Sequence, residues 1–193
     1  MATAGPDRRP AAASVLAAAL AIAGCGSAGA PHAPGAYSWL RPAGAPAGWQ
    51  VGALPSHAAA FAYPRGWRPI RTDPGTFSAA LEGRDGQILG YLNATPRSGA
   101  ETLANWARFR VAHNREEGDR SVVRESAASG LRFRSGTGSC VTDRYLTSSD
   151  ARYREIACIV RGARATTVIV AAAPPAGWPR LAPQLRRAVS SFS

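Results

Sequence analysis

The chain contains no lysine. All 23 of its basic residues are arginine, set against 12 acidic ones, for a formal net charge of +11 over 193 residues. With heavy use of alanine, glycine and proline, this skew reads as the codon usage of a GC-rich genome, so much of the charge carries little functional information. The arginines are dispersed, and no helix-turn-helix, RNP or zinc-finger spacing accompanies them, which argues against nucleic acid as a partner. The acidic residues are scattered too, and no carboxylate pair for acid–base chemistry can be nominated. Three histidines, His32, His57 and His113, stand too far apart for a zinc motif. Three cysteines without a CxxC speak against a dithiol redox centre. GxSxG, HExxH and a glycine-rich phosphate loop are missing, and "SGTGSC" at 135–140 has no helix after it to give its glycines a purpose. No catalytic residue, metal ligand or cofactor is therefore assigned.

Also missing is an apolar run of the roughly 20 residues that a bilayer-spanning helix needs. What stands near the start is shorter: Arg8 and Arg9, then AAASVLAAALAIA at 11–23, apolar apart from Ser14. A positive segment followed by a short apolar one is the pattern of a signal peptide, expected over 1–24. The run ends in Ile22-Ala23-Gly24-Cys25, which resembles the lipobox of bacterial lipoproteins. The resemblance implies diacylglyceryl (palmitate-type) modification of the Cys25 sulfur, cleavage before Cys25, and anchoring at the extracytoplasmic face of the cell membrane. Two acyl chains make a stable anchor, each buried methylene contributing about 0.8 kcal/mol. The alternative is an ordinary secretory signal in which the cysteine is accidental. Residues 25–50 are rich in Gly, Ala, Pro and Ser and are expected as a tether. Tyr37, Trp39 and Trp49 within it either meet the membrane interface or dock back on the domain, and docking suits Trp49 best.

Residues 51–193 read as one domain. "AAAFAYPRGW" gives a strand stopped at Pro64 and a turn at Gly66. "GTFSAALEG" and "GQILGYLNATP" are two more strands around the turn Arg84-Asp85-Gly86. Ser98 to Glu101 has the form of a capping box, predicting a helix over 99–116. Five strand-like runs follow: "SVVRESAA", "LRFRSG", "SCVTDRYLT", "RYREIACIV" and "ATTVIVAAA". Pro174-Pro175-Ala176-Gly177 breaks the last, and Leu181, Leu185, Ala188, Val189 and Phe192 then form one stripe of a closing helix. The fold class is α+β, a mainly antiparallel sheet of about six to eight strands with two packed helices. "YPRGW" after a strand, the mid-chain helix, the hairpin carrying "REIACIV" and the last helix after "PPAGW" resemble the Mog/PsbP-like fold of small lipoproteins from high-GC bacteria. That resemblance, over about 51–193, implies a non-catalytic binding or assembly role, with an envelope protein or an anionic envelope polymer as the kind of partner. A hydrolase or transferase of envelope polymers and a purely structural surface protein are the alternatives.

Two constellations carry the rest. If Ser148-Ser149-Asp150 is a three-residue hairpin loop, counting back pairs Thr142 with Ile156 and Cys140 with Cys158, close enough for a structural disulfide. On the predicted helix, Leu103, Trp106, Ala107, Phe109 and Val111 span an apolar arc with Arg110 near its middle and His113 close by. Either Arg110 lets its guanidinium out at the edge, or it is partly buried on a carboxylate or carbonyls beside Tyr91, Asn93 and Trp106, forming a pocket for an anionic or polar ligand. A shifted helix phase is the third reading. Tyr91, Asn93, Trp106, Arg110 and His113 are the candidate binding residues. Asn93-Ala94-Thr95 also matches a glycosylation sequon, read as coincidence.

Overall fold

A computed structural model describes residues 35–193. The expected leader over 1–24, Cys25 and the first part of the tether lie outside the described residues. No helix of the described residues is long and apolar enough to cross a membrane.

Among the described residues, nine strands and two helices follow in the order β1 (Gln50–Ala53), β2 (Ala60–Tyr63), β3 (Arg68–Ile70), β4 (Phe77–Glu82), β5 (Ile88–Pro96), α1 (Trp106–Glu116), β6 (Arg120–Arg132), β7 (Gly136–Leu146), β8 (Arg152–Gly162), β9 (Thr166–Ala173) and α2 (Trp178–Ser191). Seven strands form one sheet in the order β3-β4-β5-β9-β8-β7-β6, and β1 pairs with β2 separately. Every pairing is antiparallel. This is the α+β architecture expected, with two helices on an antiparallel sheet.

The two sheet faces are covered by different elements. Side chains alternate along a strand, so Cys140, Ile156, Cys158, Val160, Ile169 and Ala171 point to one face and meet Leu181, Leu185, Ala188 and Val189 of α2, together with Phe61 and Tyr63 of β2. Val141, Ala157, Ile159, Val168 and Val170 point to the other face and meet Trp106 of α1. The middle of β8 is buried on both sides, so it reads as a continuous apolar run over Ile156–Val160, with Glu155 buried at its start. Both edges resist pairing with another chain: β3 has three residues and carries Pro69, while β6 is interrupted by three register shifts.

Three expectations need correction. "SVVRESAA" and "LRFRSG" do not form separate strands, because a register shift between Ala128 and Leu131, with Gly130 at φ +68°, lets β6 run through the break. Helix α1 starts at Trp106 and not at 99: Glu101 accepts a bond from the Ser98 backbone N–H at 2.8 Å, but no helical turn follows. The turn into the helix is instead held by a reciprocal pair, the Thr102 N–H on Asn105 Oδ1 at 2.7 Å and the Asn105 N–H on Thr102 Oγ1 at 3.1 Å. The tether boundary at residue 50 is also too late. Tyr37 is only 6% exposed, and Trp39, Leu40 and Trp49 pack beside it on the α2-face core. The Tyr37 hydroxyl lies 3.0 Å from Thr142 Oγ1, and the Ala43 N–H donates to the Ser190 carbonyl.

Candidate functional site

Trp106 and Arg110 stand one helical turn apart on α1, a rise of about 6 Å. Two residues along a strand advance about 6.8 Å, so the pair can match Ala157 and Glu155 on β8. The structure shows this match. Trp106 Nε1 donates to the Ala157 carbonyl at 2.8 Å, and Arg110 grips Glu155 with two bonds, Nε to Oε1 at 2.7 Å and Nη2 to Oε2 at 3.0 Å. The Tyr145 hydroxyl donates to Glu155 Oε2 at 3.2 Å. Side-chain exposure is 13% for Arg110 and nil for Glu155, whereas Arg108 and Arg115 are exposed. Of the three readings of Arg110, partial burial on a carboxylate is the one observed.

Asp143 adds a second carboxylate. It is the direct cross-strand partner of Glu155, fully buried, and neither of its oxygens has a hydrogen-bond partner. Burial chiefly, and then the charge of Glu155, push its pKa up to about 8, against an opposing pull from Arg110. At neutral pH it therefore holds a proton, and the cluster is balanced: Arg110 positive, Glu155 negative, Asp143 neutral. Burial alone would lower the pKa of Arg110, but the charge and hydrogen bonds of Glu155 hold it above the ordinary arginine range. Burial and Glu155 likewise raise Tyr145, which stays a neutral donor.

The five candidate residues are thus split. Tyr91 and Asn93 share the α1 face of the sheet but belong to another network: Asn93 Nδ2 donates to Ser78 Oγ at 2.8 Å, the Tyr91 hydroxyl lies 3.4 Å from the same oxygen, and Thr72 Oγ1 is 2.7 Å from it. His113 stands apart from the Arg110 cluster, stacked on Phe109 and 3.1 Å from Glu117 on its own helix. The five are thus held in separate contacts: Tyr91 with Asn93, Trp106 and Arg110 on β8, and His113 on its own helix. The residues that sequence reasoning misses are Asp143, Glu155 and Tyr145, and a signal for them exists: the hairpin count that pairs Cys140 with Cys158 also sets Asp143 opposite Glu155. The disulfide itself is formed, with Cα atoms 4.1 Å apart, on the opposite sheet face.

An open concavity lies elsewhere. A groove of about 540 Å³ runs between the loop end of the β7–β8 hairpin, the start of β6 and the first turn of α2, lined by Val123, Leu146, Pro175 and Trp178 and by Arg144, Arg152 and Arg154. Arg144 and Arg154 are direct cross-strand partners, an arrangement that destabilises a strand pair when both charges are of one sign. Glu125 of β6 answers one of them, accepting from Arg154 Nη2 at 2.6 Å and from Nε at 2.7 Å. The Arg154 guanidinium also lies 4.8 Å over the Trp178 ring. Arg144 and Arg152 have no acidic partner among the described residues, and both are exposed.

No family model matches the chain, and no curated protein matches it. Solved structures do. The cyanobacterial PsbP (CyanoP) of Synechocystis sp. PCC 6803 superposes with a TM-score of 0.55 at 17% identity, over 76% of this chain and 92% of that one. LpqN, described as involved in cell envelope biogenesis of Mycobacterium tuberculosis, aligns with a TM-score of 0.42 at 14% identity, over 78% of this chain and 86% of that one. The fold is PsbP-like.

Proposed function

We propose that this PsbP-like domain is a non-catalytic binding or assembly module, held at the extracytoplasmic face of a cell membrane by lipid on Cys25. The observation that carries the binding role is the groove at the start of α2, where an open trough of about 540 Å³ offers apolar walls and unanswered arginines. Ligand sites are usually concave, mostly apolar, and furnished with a few convergent polar groups. The Arg110 cluster is closed on itself and serves to dock α1. The anchor is supported by the lipobox-like Ile22 to Cys25 after a short apolar run, and the partner class by the basic rim: an envelope protein or an anionic envelope component, with no nucleic acid.

A photo-crosslinking amino acid tests the binding reading in the full chain in its native envelope. Two exposed apolar positions serve: Val123 in the groove, 43% exposed, and Val51 on the separate two-stranded sheet, 60% exposed. A discrete adduct from position 123 and none from 51 is expected. Equal labelling from both, or none from either, overturns the reading. Mass spectrometry of the mature amino terminus tests the anchor, and an unmodified Cys25 sinks it.

A further inference from the structure

We infer that the groove binds a single-chain anionic amphiphile, its phosphate or carboxylate on Arg144 and Arg152 and its acyl chain along Val123, Leu146 and Trp178. The inference rests on the binding reading above and names the ligand class for the same groove.

Three features converge on this chemistry. First, the face is cationic in excess of what the protein neutralises. Arg144, Arg152 and Arg154 all lie on one side of the β7–β8 hairpin, since Arg144 pairs with Arg154 and Arg152 with Leu146, and Glu125 satisfies only Arg154. An anion on Arg144 offsets the like charge that this residue faces in its cross-strand partner Arg154. Second, the neighbouring surface is apolar where solvent reaches it. Val123, the direct cross-strand partner of Arg144, is 43% exposed, and Leu146, Pro175 and Pro179 continue the wall. A small inorganic anion would leave that wall wet. Third, the cationic group that is already satisfied is locked: Arg154, held by Glu125 and by the Trp178 ring, fixes one side of the trough and leaves the other two arginines free to close on a ligand. The anchor proposed above sets the groove near a membrane, where lipid is the amphiphile at hand.

The test uses the purified full chain and three probes: palmitoyl lysophosphatidic acid below its micelle concentration, uncharged monopalmitoylglycerol, and inorganic phosphate. Tryptophan fluorescence and calorimetry read the binding. The lysophospholipid is expected to bind about tenfold or more tightly than either other probe, since a charge-assisted bond to an anion carries about that discrimination. Arg144→Glu and Val123→Asp should each lose about tenfold in affinity. Arg180→Glu, an equal charge change outside the groove, should lose nothing. All these positions are exposed, so folding is spared, and unchanged unfolding midpoints check it. Equal binding of phosphate and lysophospholipid, equal loss in Arg180→Glu, or no binding at all overturns the inference. Failure here with a protein adduct at position 123 leaves the binding reading standing and removes only the lipid.

Discussion

The two faces of the central sheet handle arginine in opposite ways. On the α1 side, Arg110 is buried and its demand is met in full by Glu155, with Asp143 kept neutral beside them. On the α2 side, the face is apolar beneath the helix, and its arginines are displaced to the rim, where two of three go unanswered. A charge satisfied inside the protein holds elements together; a charge left unsatisfied at the surface is available to something else. The same residue type thus serves docking on one face and is left without a protein partner on the rim of the other, and burial, rather than composition, separates the two settings.

The comparison breaks first if Arg110 and Glu155 turn out to be dispensable. Glu155→Ala strands a buried guanidinium, and Arg110→Ala strands a buried carboxylate, so each should cost about 3–5 kcal/mol in denaturant titrations. Arg108→Ala, exposed on the same helix, should stay within about 0.5 kcal/mol of the parent. Equal midpoints for Arg108→Ala and Arg110→Ala would dissolve the distinction. On the other face, the Cys140–Cys158 crosslink spans a separation of 18 residues, and Cys140→Ala with Cys158→Ala should cost about 3 kcal/mol. Free thiols titrating in the unfolded, non-reduced protein would contradict it.

Asp143 sharpens the contrast through pH. Its pKa rises from about 3.9 unfolded to about 8 folded, so below pH 4 both states hold the proton and its contribution is fully present. Between those values the folded protein keeps a proton that the unfolded chain has released. Stability therefore falls with rising pH, by up to about 1.4 kcal/mol per unit, until the loss is complete above the folded pKa. Asp143→Asn should flatten that slope and be the more stable protein at pH 9, as read by unfolding midpoints from pH 4 to 9. The smallest effect belongs to the rim: Arg144→Gln should leave stability unchanged or raise it by about 0.2–1 kcal/mol, because it removes a like-charge cross-strand contact. A loss of stability would show that Arg144 is structural after all.

Much of this contrast is legible in the order of the amino acids. The α2 stripe, the three strand runs from "SCVTDRYLT" onward and the Cys140–Cys158 register depend on local periodicity and one loop length, and all three are observed. Arg110 is conspicuous because helical spacing sets it amid apolar residues. Its partner is hidden, since Glu155 lies 45 residues further on and is paired with Asp143 only through the hairpin. The groove is harder still: Val123, Arg144, Arg152 and Trp178 come from four separate elements and share no spacing. Tyr37 is obscured for another reason, because a Pro- and Gly-rich stretch carries no period, and its burial depends wholly on the domain it meets.

That early segment has a mechanical consequence. Tyr37 is fastened to Thr142 in β7, Trp39 lies 5.6 Å from the Arg186 guanidinium of α2, and Ala43 is bonded to Ser190 near the end of the same helix. A pull on the chain upstream of Gly35 therefore does not peel an edge strand away. It loads the interior of the sheet and the closing helix together, so the point where the chain enters the domain is also where it is riveted.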